Sequence, residues 1–376
     1  MSLNLLLFNL ATDADDPILG FTTHWVNRLA AHFDHIDVVT MRAGRLTIAD
    51  NVKVHTVGKE LGYSEPRRAA EFYRILGGLL ASKAYMACFA HMMPLFAAMG
   101  APLLRLRGVP ITLWYTHRQV TRVLEVATRA SQRVVTAAPD SFPIPTPRLR
   151  VLGHGIDTDF YQRRRSGEQG IDMMQTSPTR PKLTRTQEMI VLGGGYVVQV
   201  ARMMPIKHQE TAIRALEHAP DTRLVLIGGT PQGEDGSYEH KLRGLAHGMD
   251  LGGRVVFAGD QPPELLREYY QRAGAALNLS PPGLFDKAAL ESMAMELPTI
   301  VANPAFDPLL GEHVDLLRVG SSENVNGLAG RLNRLYALPE AMRAAIGAQL
   351  RERVVAAHGL DGLTTRLVNV LKTGEP

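Results

Sequence analysis

Residues 277–298 read Leu277-Asn-Leu-Ser-Pro-Pro-Gly-Leu-Phe-Asp-Lys-Ala-Ala-Leu-Glu-Ser-Met-Ala-Met-Glu-Leu-Pro298. The pattern predicts a strand ending at Ser280, a Pro/Gly loop, and a helix that begins near Asp286 or Lys287. Backbone amides at such a helix start face an anion, for instance a sugar phosphate. Glu291 stands a turn further in, among Ala288, Ala289, Leu290, Met293 and Ala294. A carboxylate flanked so closely by apolar groups needs partners, and sugar or ribose hydroxyls supply them. From the residues alone, a solvated glutamate on a helix face fits as well.

The same alternation of short apolar run and helix-length segment extends in both directions. Residues 196–200, 223–227, 255–258, 275–279 and 299–301 read as strands, with helices at 209–217, 239–247, 263–273 and 287–295. Toward the N-terminus, 3–8, 36–40, 52–57, 111–115, 133–136 and 149–152 read as further strands, with helix-length stretches at 23–33 and 120–130. Near-continuous apolar runs bounded by turn residues suit strands buried on both faces, hence parallel sheets in an α/β protein. The stretch 162–187 breaks the alternation with Arg163, Arg164 and Arg165 followed by aperiodic Ser, Thr, Pro and Gly, and reads as an exposed excursion. The expected organisation is a first domain at 1–160, a linker at 161–190, a second domain at 191–355 and a terminal crossover helix at 356–376. The tail from 339 to 372 is helical by pattern, broken near Gly359, and is expected to pack back on the first domain. Two doubly wound domains side by side place a ligand cleft at the carboxyl ends of their strands.

Composition sets bounds on function. A length of 376 residues fits two domains, each able to bury a core. The lone cysteine, Cys88, excludes an intramolecular disulfide and a cysteine-based zinc site, and suits a reducing compartment. Residues 1–8 carry no basic leader and read as a strand rather than a signal peptide. The longest apolar candidate, around 84–104, is interrupted by His91, Pro94 and Pro102, so no spanning helix is expected and the chain reads as cytoplasmic. A net charge of +4 with few interleaved aromatics argues against a nucleic-acid partner. Residues 65–80, with Arg67, Arg68, Arg74, Phe72, Tyr73, Ile75 and Leu76, fit a basic helix resting on a lipid surface or an ordinary helix against the first sheet.

Residues 197–207 read Val197-Val-Gln-Val-Ala-Arg-Met-Met-Pro-Ile-Lys207, a strand with Arg202 at its carboxyl end and Lys207 before a helix. An arginine fork and a lysine point charge clamp a diphosphate and stabilise it as it leaves. Spacing alone fits a pair of exposed loop cations equally. Gly228 and Gly229 end the next strand, where they permit close approach of a ligand or form a plain tight turn. A G-x-G-x-x-G fingerprint and a P-loop are both absent from the sequence, which argues against a simple dehydrogenase or kinase.

Together these residues resemble the retaining glycosyltransferases of family 4, whose GT-B fold consists of two facing Rossmann-like domains. The resemblance is strongest over 197–301. It implies that Arg202 and Lys207 contact a donor diphosphate, that Gly228 and Gly229 form the turn after the next strand, and that Glu291 binds the nucleotide ribose. It implies a nucleotide-diphosphate sugar, UDP- or GDP-linked, as donor and a glycan, lipid or small-molecule hydroxyl as acceptor, with no metal and no further cofactor. The residues 110–117 resemble a strand leading to a histidine at the reaction centre, which assigns His117 to the transferring sugar. Gly20 stands where the family has its first glycine-rich loop. This sequence departs from the pattern at Gly283, where the family carries a sugar-binding glutamate, and at Leu284, Phe285, Asp286 and Lys287, where a glycine-rich turn is altered. The backbone amides of Leu284, Phe285 and Asp286 remain candidates for phosphate oxygens, Asp286 for a hydroxyl, and Lys287 for a third cation or a solvated helix residue. The expected activity is glycosyl transfer with retention. The alternatives are a nucleotide-sugar epimerase of the same fold and a catalytically silent sugar-nucleotide-binding protein.

Overall fold

The computed structural model describes residues 3–16, 19–164, 184–231 and 233–376. The chain divides into two compact units, Met1–Gly155 with Leu360–Pro376, and Ile156–Gly359. In the first, the chain runs β1 (Asn4–Thr12), α1 (Phe21–Ala30), β2 (His35–Ala43), β3 (Val52–Thr56), α2 (Glu65–Ser82), β4 (Ala87–His91), α3 (Pro94–Leu106), β5 (Ile111–Trp114), α4 (Arg122–Ala130), β6 (Arg133–Thr136) and β7 (Leu149–Val151). These strands form one parallel sheet in the order β3-β2-β1-β4-β5-β6-β7.

Burial on both faces follows from the strand period of two. Leu6 and Phe8 of β1 join Phe72, Leu76, Phe96 and Leu104 in the core under α2 and α3, whereas Leu5 and Leu7 point the other way, toward Trp25, Leu29, Leu363 and Leu367. The central strand β4, with the sequence Ala-Cys-Phe-Ala-His, and α3 after it were not separated by pattern. They lie in the apolar stretch 84–104, where a strand covered on both faces runs into a helix of high apolar content and no period marks the junction. Cys88 is fully buried there.

The lipid-surface alternative for residues 65–80 is corrected by the packing of α2. Phe72 and Leu76 are fully buried and Ile75 is nearly so, and the Phe72 ring stacks on Phe96 with centroids 4.5 Å apart. Of the apolar residues named for the lipid face, only Tyr73 is exposed, and its hydroxyl donates to the Met99 carbonyl. At the amino ends of the same strands, the fully buried Asp37 accepts from Tyr85 Oη at 2.7 Å and Lys83 Nζ at 2.9 Å and bonds His55 Nε2 at 2.9 Å. Burial alone would raise its carboxyl, but these partners outweigh burial and hold it well below the usual carboxylate range. The cluster ties the segment after α2 to β2, at the end of the sheet opposite the ligand-binding carboxyl ends.

The second unit contains α5 (Arg185–Gly193), β8 (Val197–Val200), α6 (Gln209–Ala215), β9 (Leu224–Ile227), α7 (Ser237–Gly248), β10 (Val255–Gly259), α8 (Pro263–Arg272), β11 (Ala275–Asn278), α9 (Lys287–Ala294) and β12 (Thr299–Val301), then α10 (Asp307–Leu310), α11 (Val314–Leu317), α12 (Val325–Ala337) and α13 (Glu340–His358). Its parallel sheet has the order β10-β9-β8-β11-β12. Part of the excursion expected at 162–187 is ordered. Arg163 donates to the Met295 and Ala273 carbonyls, Arg164 pairs with the buried Glu268 of α8, and α5 opens on a reciprocal cap between Thr184 and Gln187. Arg165 lies outside the described residues.

The break near Gly359 falls where the chain returns to the first unit as α14 (Leu360–Thr373). Leu360, Leu363, Leu367 and Leu371 complete the core beneath α1. Both tryptophans, Trp25 and Trp114, lie in this core with centroids 5.0 Å apart, so intrinsic fluorescence reports on the first unit. Leu367→Ala, at a position 1 % exposed, is expected to cost that unit about 2–4 kcal/mol. Urea unfolding followed at the tryptophans should show an earlier transition, and a change below about 1 kcal/mol contradicts the role given to α14.

Candidate functional site

The second sheet has its topological switch between β8 and β11, since the chain leaves β8 toward β9 on one side and returns to β11 on the other. In open α/β sheets the crevice at the carboxyl ends of two such strands is the ligand position. The loop after β8 carries Arg202 and then a tight 3-10 turn, Pro205–Lys207, ending in His208 at φ 53°. That left-handed conformation is uncommon for a residue with a side chain. Gln199 Nε2 donates to the Lys207 carbonyl at 2.7 Å and Gln209 Nε2 to the Arg202 carbonyl at 2.9 Å, so the two glutamines fix both cationic positions from below. Arg202 is exposed and makes no ion pair among the described residues.

Lys207 is turned inward across the switch. Its ammonium donates to Asp286 Oδ2 at 2.7 Å, Asp286 Oδ1 at 2.9 Å and Ser280 Oγ at 3.1 Å, which uses all three N–H groups. Asp286 also accepts from Asn278 Nδ2 at 3.1 Å and from the Ser280 hydroxyl. Asp286 is the residue before α9, where an aspartate ordinarily caps its own helix. Here the Asp286 side chain does not cap α9, because the carboxylate faces Lys207 instead.

The loop leading to α9 explains the departure at Gly283. The Leu284 amide donates to the Pro281 carbonyl at 3.2 Å, and Gly283 adopts φ 87°. A proline followed by a glycine of positive φ is the signature of a type II turn, and a side chain at 283 would be strained. The Leu284 amide is thereby occupied, and its carbonyl is held by Asn303 Nδ2 at 3.0 Å. The Phe285 ring is buried, stacked on Phe306 at 4.3 Å, so it anchors the loop.

Glu291 and Lys287 lie one turn apart on α9, both partly buried. Burial pushes the Glu291 carboxyl up to about 7, with Lys287 pulling it partly back. Burial brings the Lys287 ammonium down to about 8 against the opposing pull of Glu291. The Tyr161 and Tyr270 hydroxyls are also driven upward, first by burial and next by the Glu291 charge. Glu291 therefore sits in an apolar, aromatic setting where a hydroxyl ligand has little water to compete with.

Gly228 and Gly229 are required by close approach. Gly228 has φ 126°, and a Cβ there would lie 2.2 Å from the Ala201 carbonyl oxygen, while one at Gly229 would meet the Asp260 carboxylate at 2.3 Å. The Gly229 amide donates to Asp260 Oδ1 at 2.7 Å and its carbonyl accepts from Met203 at 2.9 Å, so the glycine pair shapes the Arg202 loop. In the first unit, Gly20 precedes α1, with its amide bonded to the Asp16 carbonyl at 2.9 Å and no room for a Cβ beside it. His117 is exposed beyond β5. Its Nδ1 accepts from the Gln119 amide at 3.0 Å, which leaves Nε2–H as an outward donor in the neutral ring.

An open groove of about 880 Å³ on the second unit, lined by Ile206, His208, Glu210, Tyr238 and Lys241, shares the 3-10 turn but contains none of Arg202, Lys207 or Glu291. Of its two carboxylates, Glu210 and Glu323, the first is already held by Arg214 and Lys241. The residues that pattern missed are Asn278, Ser280, Gln199, Gln209 and Asp260. Asn278 and Ser280 are spaced by two at the end of β11 and so share one face, a signal present in the sequence. The glutamines act through bonds to the backbone of the loop they flank, and Asp260 through its bond to Gly229 after the neighbouring strand.

Residues 183–353 match the family Glycosyl transferases group 1. Over 171 residues, 43 % of this chain, the sequence is 28 % identical to a D-inositol 3-phosphate glycosyltransferase of Acidothermus cellulolyticus, and over 36 % of the chain it is 30 % identical to one of Nocardia farcinica. The matched segments span only about a third of those relatives, 35 % and 31 %. Among solved structures, Anabaena HepE in complex with UDP and glucose aligns over 99 % of this chain and all of its own, with a TM-score of 0.72 at 16 % identity. Sucrose-phosphate synthase from Thermosynechococcus elongatus aligns over 97 % of each chain, with a TM-score of 0.70 at 19 % identity. The match to glycosyl transferases group 1 lies within the second unit, and the chain's two parallel α/β sheets with returning C-terminal helices are those of the GT-B fold.

Proposed function

We propose that this protein is a retaining glycosyltransferase that moves a sugar from a nucleotide-diphosphate sugar to an acceptor hydroxyl. The observation that carries the reading is the convergence of Lys207 and the uncapped start of α9 on the β8/β11 switch, with Arg202 on the loop just before. An ammonium, a guanidinium and a helix N-terminus match the shape and charge of a diphosphate. They stabilise it most when it leaves with its negative charge, which is the condition for a lower barrier. Glu291 takes the ribose hydroxyls, and His117 offers its Nε2–H to the transferring sugar. Lys287 and Glu291 share one helix turn, so Lys287 supports Glu291 more than it binds phosphate. In the transfer, the bond from the anomeric carbon to the diphosphate breaks as the acceptor oxygen bonds that carbon, and the acceptor proton passes to the departing phosphate oxygen. Arg202 and Lys207 take up the charge that a metal takes in other transferases. The neighbouring HepE complex holds UDP and glucose, which makes a UDP-linked hexose the first donor to test.

A panel of nucleotide sugars and nucleoside diphosphates should raise the melting temperature for one base by mass action. Lys207→Ala should weaken that ligand about 10- to 100-fold, the loss of one charge-assisted contact. If no nucleotide shifts the protein, or if Lys207→Ala binds as tightly as the parent, the site is wrong. Sugar modified without acceptor points to an epimerase, and binding without turnover to a silent protein.

The elevated Glu291 carboxyl gives a second test. Ribose hydroxyls donate to the charged form, so affinity for the nucleoside diphosphate should fall as pH drops through about 7. In Glu291→Gln that component should vanish while the titration of the phosphate itself stays, so the difference between the two profiles isolates Glu291. Parallel profiles for parent and variant contradict the ribose role.

A further inference from the structure

Lys207 and the start of α9 are the two halves of an anion site, and one side chain lies between them. Asp286 is placed to cap α9 and does not, which forfeits the helix stabilisation that an aspartate gives from that position. Its carboxylate engages Lys207 through both oxygens, at 2.9 and 2.7 Å, in a setting where Lys207 is 13 % and Asp286 22 % exposed. Ser280 and Asn278 hold the carboxylate in that orientation from β11. Asn278 Oδ1 is buried with no hydrogen-bond partner, so the carboxylate's support is itself incompletely satisfied. The ammonium that a diphosphate needs is thus fully engaged by an internal anion and Ser280, while the amides that would share that diphosphate receive no cap from Asp286.

We propose that Asp286 is a built-in counter-ion that occupies Lys207 in the empty donor site and is displaced when a diphosphate binds. The inference rests on the donor-site reading above. A ligand carrying two phosphates wins the ammonium because it bonds Lys207, Arg202 and the α9 amides together, whereas Asp286 engages one cation, Lys207, beside the neutral donors of Ser280 and Asn278. After transfer, the returning carboxylate competes with the nucleoside diphosphate and speeds its departure. An anion lacking one of those contacts, such as inorganic phosphate, fails to displace it. Asp286 thereby sets a threshold that favours diphosphates over smaller anions.

Asp286→Asn keeps the shape and the Ser280 and Asn278 partners but removes the charge. By titration calorimetry, its affinity for the nucleoside diphosphate and for inorganic pyrophosphate should rise about tenfold over the parent. Asp286→Glu should return it toward the parent value. In the background of Lys207→Ala, Asp286→Asn should bring no gain, since the pair acts as one unit. A second readout needs no nucleotide: Lys207 acetylation by acetic anhydride, measured by mass spectrometry relative to Lys241, which is 61 % exposed. Asp286→Asn should accelerate it several-fold. Unchanged or weaker diphosphate affinity in Asp286→Asn, with a parent that does bind, overturns the counter-ion role and leaves the donor site standing. A parent and variant that both fail to bind any nucleoside diphosphate sink the donor site, and the acetylation rate then decides the counter-ion role alone, with no acceleration overturning it.

Discussion

A parallel sheet covered on both faces leaves a polar side chain few places to go. In both units the strand interiors are filled by apolar residues, and groups able to do chemistry emerge where strands end. The amino ends of the first sheet hold Asp37, bonded by His55, Lys83 and Tyr85. The carboxyl ends of the second hold Lys207, Asp286, Ser280 and Asn278, which bond one another, with Asn278 Oδ1 left without a partner, and do not close off Arg202. The switch in strand order between β8 and β11 brings these groups to one place, because the two loops that carry them belong to neighbouring strands far apart in sequence.

Around that place, backbone geometry does as much as side-chain chemistry. Gly228 permits the Ala201 carbonyl to pass close by, His208 accepts a left-handed conformation, and Gly283 closes a type II turn. Each would resist a substitution that keeps polarity but adds a Cβ or moves φ. The turn at Gly283 also gives a physical reason for the lost glutamate. A rigid Pro-Pro-Gly turn and a carboxylate at the same position are incompatible, and Asp286 is the acidic side chain that reaches the ammonium instead.

The sequence made much of the second unit legible. Its strands β8, β10 and β12 and the start of α9 stand within a residue or two of where hydrophobic runs and loop residues place them, because short buried strands between clear turn signals have little freedom to shift. Strand β4 was hidden in the apolar stretch 84–104, since a strand and a helix that are both well buried lose the periodic contrast that separates them. Helix α5 carried a readable Thr184 to Gln187 cap but stood beside an aperiodic stretch that masked it. In the site, Arg202, Lys207 and Glu291 were legible as residue types at strand and helix ends. What each contacts was not, because the Lys207–Asp286 pair spans 79 residues and depends on two strands lying side by side. The amphipathic pattern of α2 was readable, yet only packing decided that its apolar face meets the sheet.

The most direct measurement is a crystal structure of the protein with a nucleoside diphosphate bound. The account requires the phosphate oxygens within hydrogen-bond distance of Lys207 Nζ and the first-turn amides of α9, with the ribose hydroxyls on Glu291 and the Asp286 carboxylate turned away from the ammonium. A diphosphate seated in the groove beside Tyr238 and Lys241, or one bound while Lys207 and Asp286 stay paired as they are here, would contradict it.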